Sequence, residues 1–300
     1  MEELSFEEKF NLDVDELQVK KALNQIADIA NARKNDVEIL KKCFSIIDLT
    51  TLHTTDNYKT GKQFADRVSK FPSDFPGMPN VAAICVYPSL VPVIKENLTA
   101  DNVKIASVSA GFPSSQTFID IKLSECQMTI EEGADEIDVV ISVGSFLEGD
   151  YYTVFSELQQ IKEVADDKQV KVILETGALP SLSDIKLASF LAMEAGADFI
   201  KTSTGKMEPA ATPEAVYVMC EAIKEYYEKT GKKIGIKPAG GVSTSYDAIV
   251  FYSIVEKILG QEWLYPKLFR LGTSRLADIL LSDILGKEIK YFSQSSTAKY

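Results

Sequence analysis

The sequence has 300 residues, of which 45% are hydrophobic and 25% are charged, a composition typical of a globular α/β protein. Acidic residues outnumber basic residues by 44 to 32, which gives a net charge of −12 at pH 7. A field of this sign repels nucleic acids and anionic membranes, and no run of lysines and arginines offsets it. We therefore expect neither partner, and any anionic ligand must be held by local groups.

Cysteine and histidine are scarce. The four cysteines lie far apart without the spacing of a metal or redox motif, so we expect reduced, buried thiols in a cytoplasmic protein. His53 is the only histidine, which excludes a multi-histidine metal site and any Cys/His pair built away from it. The acidic N-terminus is unlike a signal peptide, and the apolar runs are too short to span a bilayer.

Short β-like runs alternate with helical patterns along most of the chain. Residues 1–43 are predicted to form two or three helices. The eight candidate strands that follow are 45–49, 81–86, 103–109, 136–141, 170–175, 198–202, 233–237 and 268–272. The clearest helical patterns cover residues 117–133, 151–167, 182–196, 213–231 and 245–260, and several end at glycine.

Eight successive β/α units predict a TIM barrel, an α/β fold with its active site at the carboxyl ends of the strands. A doubly wound sheet is the alternative. No linker rich in Pro, Gly or Ser divides the chain. We therefore predict an N-terminal helical extension (1–43), one barrel domain (44–290) and a polar C-terminal tail (291–300).

An internal similarity relates two of the predicted strands. The segments "EEGADEIDVV" (131–140) and "MEAGADFIKT" (193–202) share Gly-Ala-Asp-x-Ile, followed by Asp138 in one and Lys201 in the other. These are strands 4 and 6, and alternate strands of a barrel contribute side chains to the same interior layer. The carboxylate and the amine are therefore predicted to face one another inside the barrel mouth.

Two lysines stand at the ends of neighbouring apolar strands. Lys201 ends "DFIK", Lys237 ends "KIGIK", and a loop of small residues follows each. A lysine amine has a pKa of about 10.4, but burial and a nearby cation lower it, and the free amine forms a Schiff base with a carbonyl. The alternative is that these lysines reach solvent or pair with carboxylates. Asp138 is likewise either a salt-bridge partner or a proton relay.

The loops after strands 6, 7 and 8 suggest an anion site. The backbone amides of Gly240, Gly241, Gly272 and Ser274 could cradle a phosphate, with Lys206 adding charge. Each loop taken alone could be only a turn. A nucleotide triphosphate loop is excluded, because "STGK" is followed by methionine and lacks the first glycine of that motif.

Six segments together resemble the deoxyribose-phosphate aldolases, which are class I aldolases on a TIM barrel. They are "IDLTTL" (47–52), "AAICVYP" (82–88), "GADEIDVVI" (133–141), "DFIKTSTGK" (198–206), "KPAGGV" (237–242) and "FRLGTS" (269–274). The resemblance covers residues 43–285, and the pair "FIKTSTGK" and "KPAGG" is highly specific.

The resemblance implies a role for each matched residue. Lys201 would be the Schiff-base lysine, Lys237 would perturb its pKa, and Asp138 would transfer protons. Asp48 and Thr50 would position Lys237 and the substrate hydroxyls. The residues that would hold the substrate phosphate are Thr204, Gly205, Lys206, Gly240, Gly241, Gly272 and Ser274.

Several positions carry weaker expectations. Ser243 stands where some members have arginine, and Arg275 where some have serine, so a phosphate contact could be weakened or relocated. Tyr300 either assists proton transfer, as a terminal tyrosine does in some similar enzymes, or belongs to a loose tail. Cys85 is expected in the core, and His53 on the loop after strand 1 without acting as the base.

The implied reaction is the reversible cleavage of 2-deoxy-D-ribose 5-phosphate to acetaldehyde and D-glyceraldehyde 3-phosphate, in the catabolism of deoxyribose phosphates. It needs neither a metal nor an organic cofactor, and the expected partners are the sugar phosphate and aldehydes. A homodimer is also expected. The alternatives are a Schiff-base aldolase of another sugar phosphate and a catalytically silent sugar-phosphate-binding barrel.

Overall fold

The computed structural model describes residues 6–293 and contains a strand in each of the eight predicted segments. The strands are β1 (Ile47–Thr50), β2 (Ala83–Val86), β3 (Lys104–Ser109), β4 (Glu136–Val140), β5 (Gln169–Ile173), β6 (Phe199–Lys201), β7 (Gly235–Lys237) and β8 (Leu271–Thr273). They are shorter than the apolar runs that predicted them, because several of those runs continue into loops.

The strands form a parallel barrel. Each strand from β1 to β6 pairs with the next one in sequence, and β8 pairs in parallel with β1. Two isolated parallel bridges, Ile236 to Phe269 and Ala239 to Gly272, join β7 to β8. This sequential order confirms the barrel and excludes the doubly wound sheet, in which the strand order reverses.

Helices surround the barrel. They are α1 (Phe6–Lys9), α2 (Glu16–Ala32), α3 (Val37–Ser45), α4 (Tyr58–Asp74), α5 (Val91–Asn97), α6 (Ile119–Glu131), α7 (Val143–Leu147), α8 (Tyr151–Ala165), α9 (Leu182–Glu194), α10 (Pro213–Thr230), α11 (Ser245–Leu259) and α12 (Leu276–Leu285). In residues 6–293, none of them is both long enough and apolar enough to cross a membrane.

The N-terminal helices pack on the outside of the barrel. α2 lies against α10 and α11, and α3 lies against α11 and α12. The ring of Phe10 stacks on that of Phe190 in α9, with 4.1 Å between the centroids. This region is helical as the sequence predicts, while the proposed boundaries at residues 43 and 290 stay a prediction.

Side-chain alternation along the strands divides the interior in two. In β1, Ile47 and Leu49 pack in the large apolar core between sheet and helices, whereas Asp48 between them points into the barrel. The inward side chains of β2 and β3 are small and apolar, and form a separate patch that includes Cys85. The inward positions of the other strands include charged groups, which therefore face one another across a narrow interior.

Candidate active site

The two strand-end lysines lie side by side. Lys201 of β6 is the register partner of Lys237 of β7, so both side chains point into the barrel. Lys201 is 4% exposed and Lys237 is fully buried. This burial rules out the interpretation that they are ordinary surface lysines.

Asp138 connects the two amines. Its Oδ2 atom accepts hydrogen bonds from Lys201 Nζ at 2.8 Å and from Lys237 Nζ at 2.7 Å. The predicted meeting of Asp138 with Lys201 across strands 4 and 6 is therefore confirmed. The shared oxygen places a carboxylate within proton-transfer distance of the amine that we expect to react.

Asp48 contacts Lys237, the lysine that the resemblance expects it to position. Its Oδ2 lies 2.5 Å from Lys237 Nζ, and its Oδ1 accepts from Arg270 Nη1 at 2.5 Å. Thr50, two residues further along β1, donates its hydroxyl to the Asp48 carbonyl oxygen at 2.8 Å. Asp48 therefore contacts Lys237 on the side away from the barrel mouth, while Thr50 lies nearer the mouth.

Three further charged residues complete the arrangement, and our sequence-based prediction missed them. Lys171 Nζ contacts Glu136 Oε2 at 2.6 Å and Asp138 Oδ1 at 3.0 Å. Arg270 forms a forked pair with Glu136, with N–O distances of 2.7 and 3.1 Å. The seven side chains, called the ion cluster below, are at most 4% exposed: Asp48, Glu136, Asp138, Lys171, Lys201, Lys237 and Arg270.

The ion cluster has one more basic group than it has carboxylates. Its three carboxylates are balanced by Lys171, Lys237 and Arg270, so a protonated Lys201 would add an uncompensated positive charge to a buried site. Burial penalises an isolated charge far more than a neutral amine. Charge balance therefore favours the free-amine form of Lys201.

The pKa shifts follow this balance. Burial and then Lys237 lower the pKa of the Lys201 amine from its usual 10.5, against the attraction of Asp138. Burial alone would also lower the pKa of Lys237, but Asp138 and Asp48 outweigh it and raise that pKa. The pKa of Asp138 stays well below its usual value, because Lys171, Lys201 and Lys237 overcome the effect of burial. The pKa values of these two adjacent lysines are thus shifted in opposite directions.

A cavity of about 230 Å³ opens above the ion cluster. Lys201 lines this cavity, whereas Lys237 and Asp138 are not part of its lining. The predicted residues that line it are Thr50, Lys201, Thr204, Gly205, Lys206, Gly240, Gly272 and Ser274. Leu52, His53, Ala239 and Thr273 also line it and were not predicted to do so.

The loop after β6 is held across the mouth. Thr204 donates both its amide and its hydroxyl to the Glu175 carboxylate, at 3.0 and 2.6 Å. Lys206 Nζ donates to the Leu52 carbonyl oxygen at 2.7 Å, which ties this loop to the one after β1. An ammonium has three donors, so Lys206 retains capacity for an anion.

The predicted cradle of four backbone amides needs a correction. The Gly240 amide donates to Gly272 O at 3.3 Å, and the Gly272 amide donates to Pro238 O at 2.9 Å. Both amides are used where β7 and β8 close the barrel. Ser274 lines the cavity, and Gly241 is not among the lining residues. The amides of Gly240 and Gly272 therefore serve the barrel wall rather than an anion.

Gly272 has a steric role instead. A Cβ atom there would lie 3.0 Å from Lys237 Cε and 2.8 Å from the Ala239 side chain. Gly240 has φ +72°, and a Cβ there would lie 2.7 Å from Ala210 Cβ. Glycine at these positions keeps the cavity open and leaves the path of the Lys237 side chain free.

Comparison with known proteins agrees with this geometry. The sequence profile of the DeoC/LacD family aldolases matches residues 43–258. The chain belongs to the DeoC/LacD aldolase family. It is 41% identical over 255 residues to the deoxyribose-phosphate aldolase of Homo sapiens, covering 82% of this chain and 79% of that one. The enzyme of the same name from Mus musculus is 40% identical over 256 residues, with the same coverage.

A solved aldolase structure has the same fold. The deoxyribose phosphate aldolase from Aeropyrum pernix superposes with a TM-score of 0.64 at 24% identity, covering 86% of this chain and 96% of that one. That protein is described as tetrameric. The family profile and the relatives at 40% and 41% identity show that the present chain is an aldolase, a lyase, and the fold is a TIM barrel.

The positions at which this DeoC/LacD aldolase departs from some members are now located. Ser243 donates its amide and hydroxyl to Asp247 at the start of α11, at 3.0 and 3.2 Å. Arg275 is exposed beside Ser274 at the start of α12. Cys85 lies in the apolar patch, where burial raises the pKa of its thiol. Tyr300 lies outside the described residues, so its role stays a prediction.

We expect loss of Arg270 to destabilise this DeoC/LacD aldolase strongly. Arg270→Met leaves Asp48 and Glu136 without their guanidinium partner in a site that is at most 2% exposed at these three residues. Breaking a buried ion pair on one side costs about 3–5 kcal/mol. Urea unfolding followed by circular dichroism measures the change in the free energy of unfolding.

Arg33→Met is the matched control for Arg270→Met. Arg33 pairs with Glu256 near the surface, with its side chain 37% exposed, and such pairs contribute roughly 0–1 kcal/mol. If Arg270→Met cost no more than Arg33→Met, the ion cluster would not be a compensated buried unit.

Proposed function

We propose that this aldolase cleaves 2-deoxy-D-ribose 5-phosphate reversibly to acetaldehyde and D-glyceraldehyde 3-phosphate through a Schiff base on Lys201. One observation carries the proposal: of the lysines in the ion cluster, Lys201 alone lines the cavity, and its pKa is lowered while those of Lys171 and Lys237 are raised. An amine that lines the cavity and loses its proton at a lower pH than the other two lysines is the nucleophile that a class I aldolase requires.

Lys201 begins the reaction. Its Nζ adds to the substrate aldehyde carbon, and the resulting carbinolamine loses its hydroxyl as water to give an iminium ion. Asp138 Oδ2, at 2.8 Å from this nitrogen, is placed to accept and return the protons through a water molecule. The iminium adds a positive charge beside Asp138, which stabilises it.

Bond cleavage then uses the iminium as an electron sink. Removal of the C3 hydroxyl proton forms the carbonyl of D-glyceraldehyde 3-phosphate. The electron pair of the C2–C3 bond moves into an enamine that retains C1 and C2. Protonation at C2 and hydrolysis of the iminium release acetaldehyde and regenerate the Lys201 amine. Lys237 remains protonated throughout, because Asp48 and Asp138 raise its pKa.

The phosphate end would lie at the far side of the cavity from the ion cluster. Lys206 supplies positive charge there, and Thr204, Gly205 and Ser274 line the same space. Gly240 and Gly272 contribute by lacking side chains. Thr50 lines the cavity near Asp48 and is a candidate partner for a substrate hydroxyl.

A direct assay tests the substrate. Purified protein is incubated with 2-deoxy-D-ribose 5-phosphate, and glyceraldehyde 3-phosphate release is followed with a coupled dehydrogenase, with ketose and longer aldose phosphates as comparison substrates. We expect turnover of the deoxyribose phosphate with a far higher kcat/KM than the others. A preference for another sugar phosphate would support the alternative aldolase, and no turnover of any would support a silent binder.

Lys206 should determine how strongly the phosphate is recognised. We expect Lys206→Met to raise KM for 2-deoxy-D-ribose 5-phosphate about tenfold to a hundredfold, the effect of losing one charged hydrogen bond. The kcat/KM for unphosphorylated 2-deoxyribose should not change, since Lys206 would contact only the phosphate. Equal losses on both substrates would instead assign Lys206 to loop structure through its bond to Leu52.

The proposed function also includes a cytoplasmic location and a homodimeric assembly. A cytoplasmic location is supported by the four cysteines, all of which are unpaired and buried, as expected for a reducing compartment. A homodimer remains a prediction, which light scattering of the purified protein tests. Sugar phosphates and small aldehydes are the proposed partners.

A further inference from the structure

Glu175 is a buried carboxylate that the proposed reaction does not use. It follows β5, is 6% exposed, and is not among the residues that line the catalytic cavity. Its two oxygens accept the Thr204 amide at 3.0 Å and the Thr204 hydroxyl at 2.6 Å. Within residues 6–293, no lysine, arginine or histidine forms an ion pair with it. Thr204 is therefore the group that compensates the burial of this carboxylate.

The backbone at Glu175 is strained. Its φ and ψ angles are 53° and 57°, in the left-handed region, where a residue with a Cβ atom is disfavoured and glycine is preferred. Residues that persist in such a conformation are held there by their surroundings, and they cluster at functional sites. A glutamate at this position indicates that the carboxylate is needed in addition to the turn.

The segment that contains Glu175 supports the loop after β6. The Thr176 amide donates to Thr202 O at 2.9 Å, where this loop begins. Gly177 lies so close to a later part of the loop that a Cβ atom there would clash with the Pro209 carbonyl oxygen. The segment after β5 thus holds the loop after β6 on both sides of the bonds from Glu175.

Glu175 also orients the stretch of chain that joins two functional lysines. The Thr204 hydroxyl gives its single proton to Glu175, and the same oxygen accepts the Lys206 amide at 3.0 Å. Lys201 and Lys206 are the first and last residues of this stretch, and they would serve the carbonyl end and the phosphate end of the substrate. The path of the chain between them sets the distance between the two ends of the site.

We propose that Glu175 is a positioning residue that sets the place of Lys206 relative to Lys201. Its carboxylate aligns Thr204, and Thr204 fixes the Lys206 backbone, so that Lys206 Nζ reaches the phosphate when Lys201 holds C1 of the sugar. Glu175 acts in this way without touching the substrate. The inference rests on the proposed function, because it takes the phosphate to bind at Lys206.

A double-mutant cycle between Glu175 and Lys206 tests this role. Glu175→Gln replaces the oxygen that accepts the Thr204 hydroxyl by a nitrogen that cannot accept it. We expect KM for 2-deoxy-D-ribose 5-phosphate to rise about tenfold or more, with a smaller change in kcat. In the Lys206→Met background the same change should have little further effect on KM, since it acts through Lys206. Equal effects in both backgrounds, or an equal rise in KM for unphosphorylated 2-deoxyribose, would overturn the inference.

Glu175→Gly separates positioning from folding. Glycine adopts the left-handed conformation without strain, which offsets part of the stability lost with the carboxylate. We expect a folded protein by circular dichroism whose KM for the phosphorylated substrate rises at least as much as that of Glu175→Gln. A wild-type KM in this variant would show that the carboxylate has no positioning role.

Amide hydrogen exchange, measured by mass spectrometry, needs no substrate. We expect Glu175→Gly to speed exchange in peptides that contain the Thr204 and Lys206 amides about tenfold or more, and to leave the α8 peptides unchanged. Unchanged exchange at residues 204–206 would overturn the inference even in an active aldolase. Wild-type protein that does not turn over 2-deoxy-D-ribose 5-phosphate would instead overturn the proposed function, while faster exchange in the variant would still show that Glu175 fixes this loop.

Discussion

Replacement of Lys201 by leucine is expected to lower kcat/KM for 2-deoxy-D-ribose 5-phosphate by about 10⁴-fold or more, because no other amine can take its place. Lys237 and Lys171 are the nearest candidates, but both are fully buried, and their pKa values are raised rather than lowered. Initial rates measured with the coupled dehydrogenase assay quantify the loss.

The same Lys201→Leu variant should fold at least as well as the wild type. The change removes the surplus basic group from the ion cluster, and Asp138 keeps its contacts with Lys171 and Lys237 at 3.0 and 2.7 Å. Exchange of a buried ionisable group for an apolar one is often neutral or stabilising when the remaining charges stay paired. A thermal midpoint that is unchanged or higher would separate lost chemistry from lost structure.

Lys186→Leu provides the matched control. Lys186 is also buried, at 5% exposure, but it lies on α9 with Glu225 3.8 Å away, outside the barrel interior. We expect it to retain wild-type activity. If Lys201→Leu kept its activity, or if Lys186→Leu lost as much, Lys201 would not be the Schiff-base lysine.

Replacement of Lys237 by methionine should shift the pH dependence of the reaction to higher pH. Lys237 lowers the pKa of Lys201, and its Nζ also shares Asp138 Oδ2 with the Lys201 amine. Without Lys237, only burial opposes the attraction of Asp138 for a proton on Lys201, so the pKa of Lys201 rises. The free amine is the form present above the pKa, and each unit of upward shift lowers its fraction at neutral pH tenfold.

We therefore expect Lys237→Met to lose at least about 100-fold in kcat/KM at pH 7, because a smaller fraction of Lys201 is then the free amine. Its activity should then rise roughly tenfold per pH unit until the new pKa is reached. Lys171→Met is the matched comparison, because Lys171 has the same charge and burial but contacts the other oxygen of Asp138. The Lys237 variant should show the larger shift. A flat, pH-independent loss would contradict the electrostatic role.

Most of the fold could be predicted from the sequence, because the barrel repeats one local pattern. Each strand is a short apolar run followed by a helical pattern, and the period-two alternation within "EIDVV" already separates Asp138 from its apolar neighbours. The repeated Gly-Ala-Asp-x-Ile motif places Asp138 and Lys201 at equivalent positions of strands 4 and 6. Their contact was therefore predictable, because alternate strands of a barrel contribute side chains to the same interior layer.

The three residues of the ion cluster that were missed show where such prediction ends. Lys171 and Arg270 interrupt "VKV" and "FRL" just as Asp48 interrupts "IDL", so the signal was present in the sequence. They lie within their apolar runs rather than at the strand end, and only the tilt and register of the strands bring them level with Asp138. The engaged amides of Gly240 and Gly272 depend likewise on the closure between β7 and β8.

Borohydride trapping most directly tests the central role of Lys201. The protein is incubated with acetaldehyde, reduced with borohydride and digested, and the modified peptide is identified by mass spectrometry. A reduced Schiff base carries an ethyl group on the lysine nitrogen, and we expect this group on Lys201, with loss of activity in proportion to labelling. An ethyl group on a different lysine with Lys201 unmodified, or an active enzyme that cannot be trapped, would contradict the assignment.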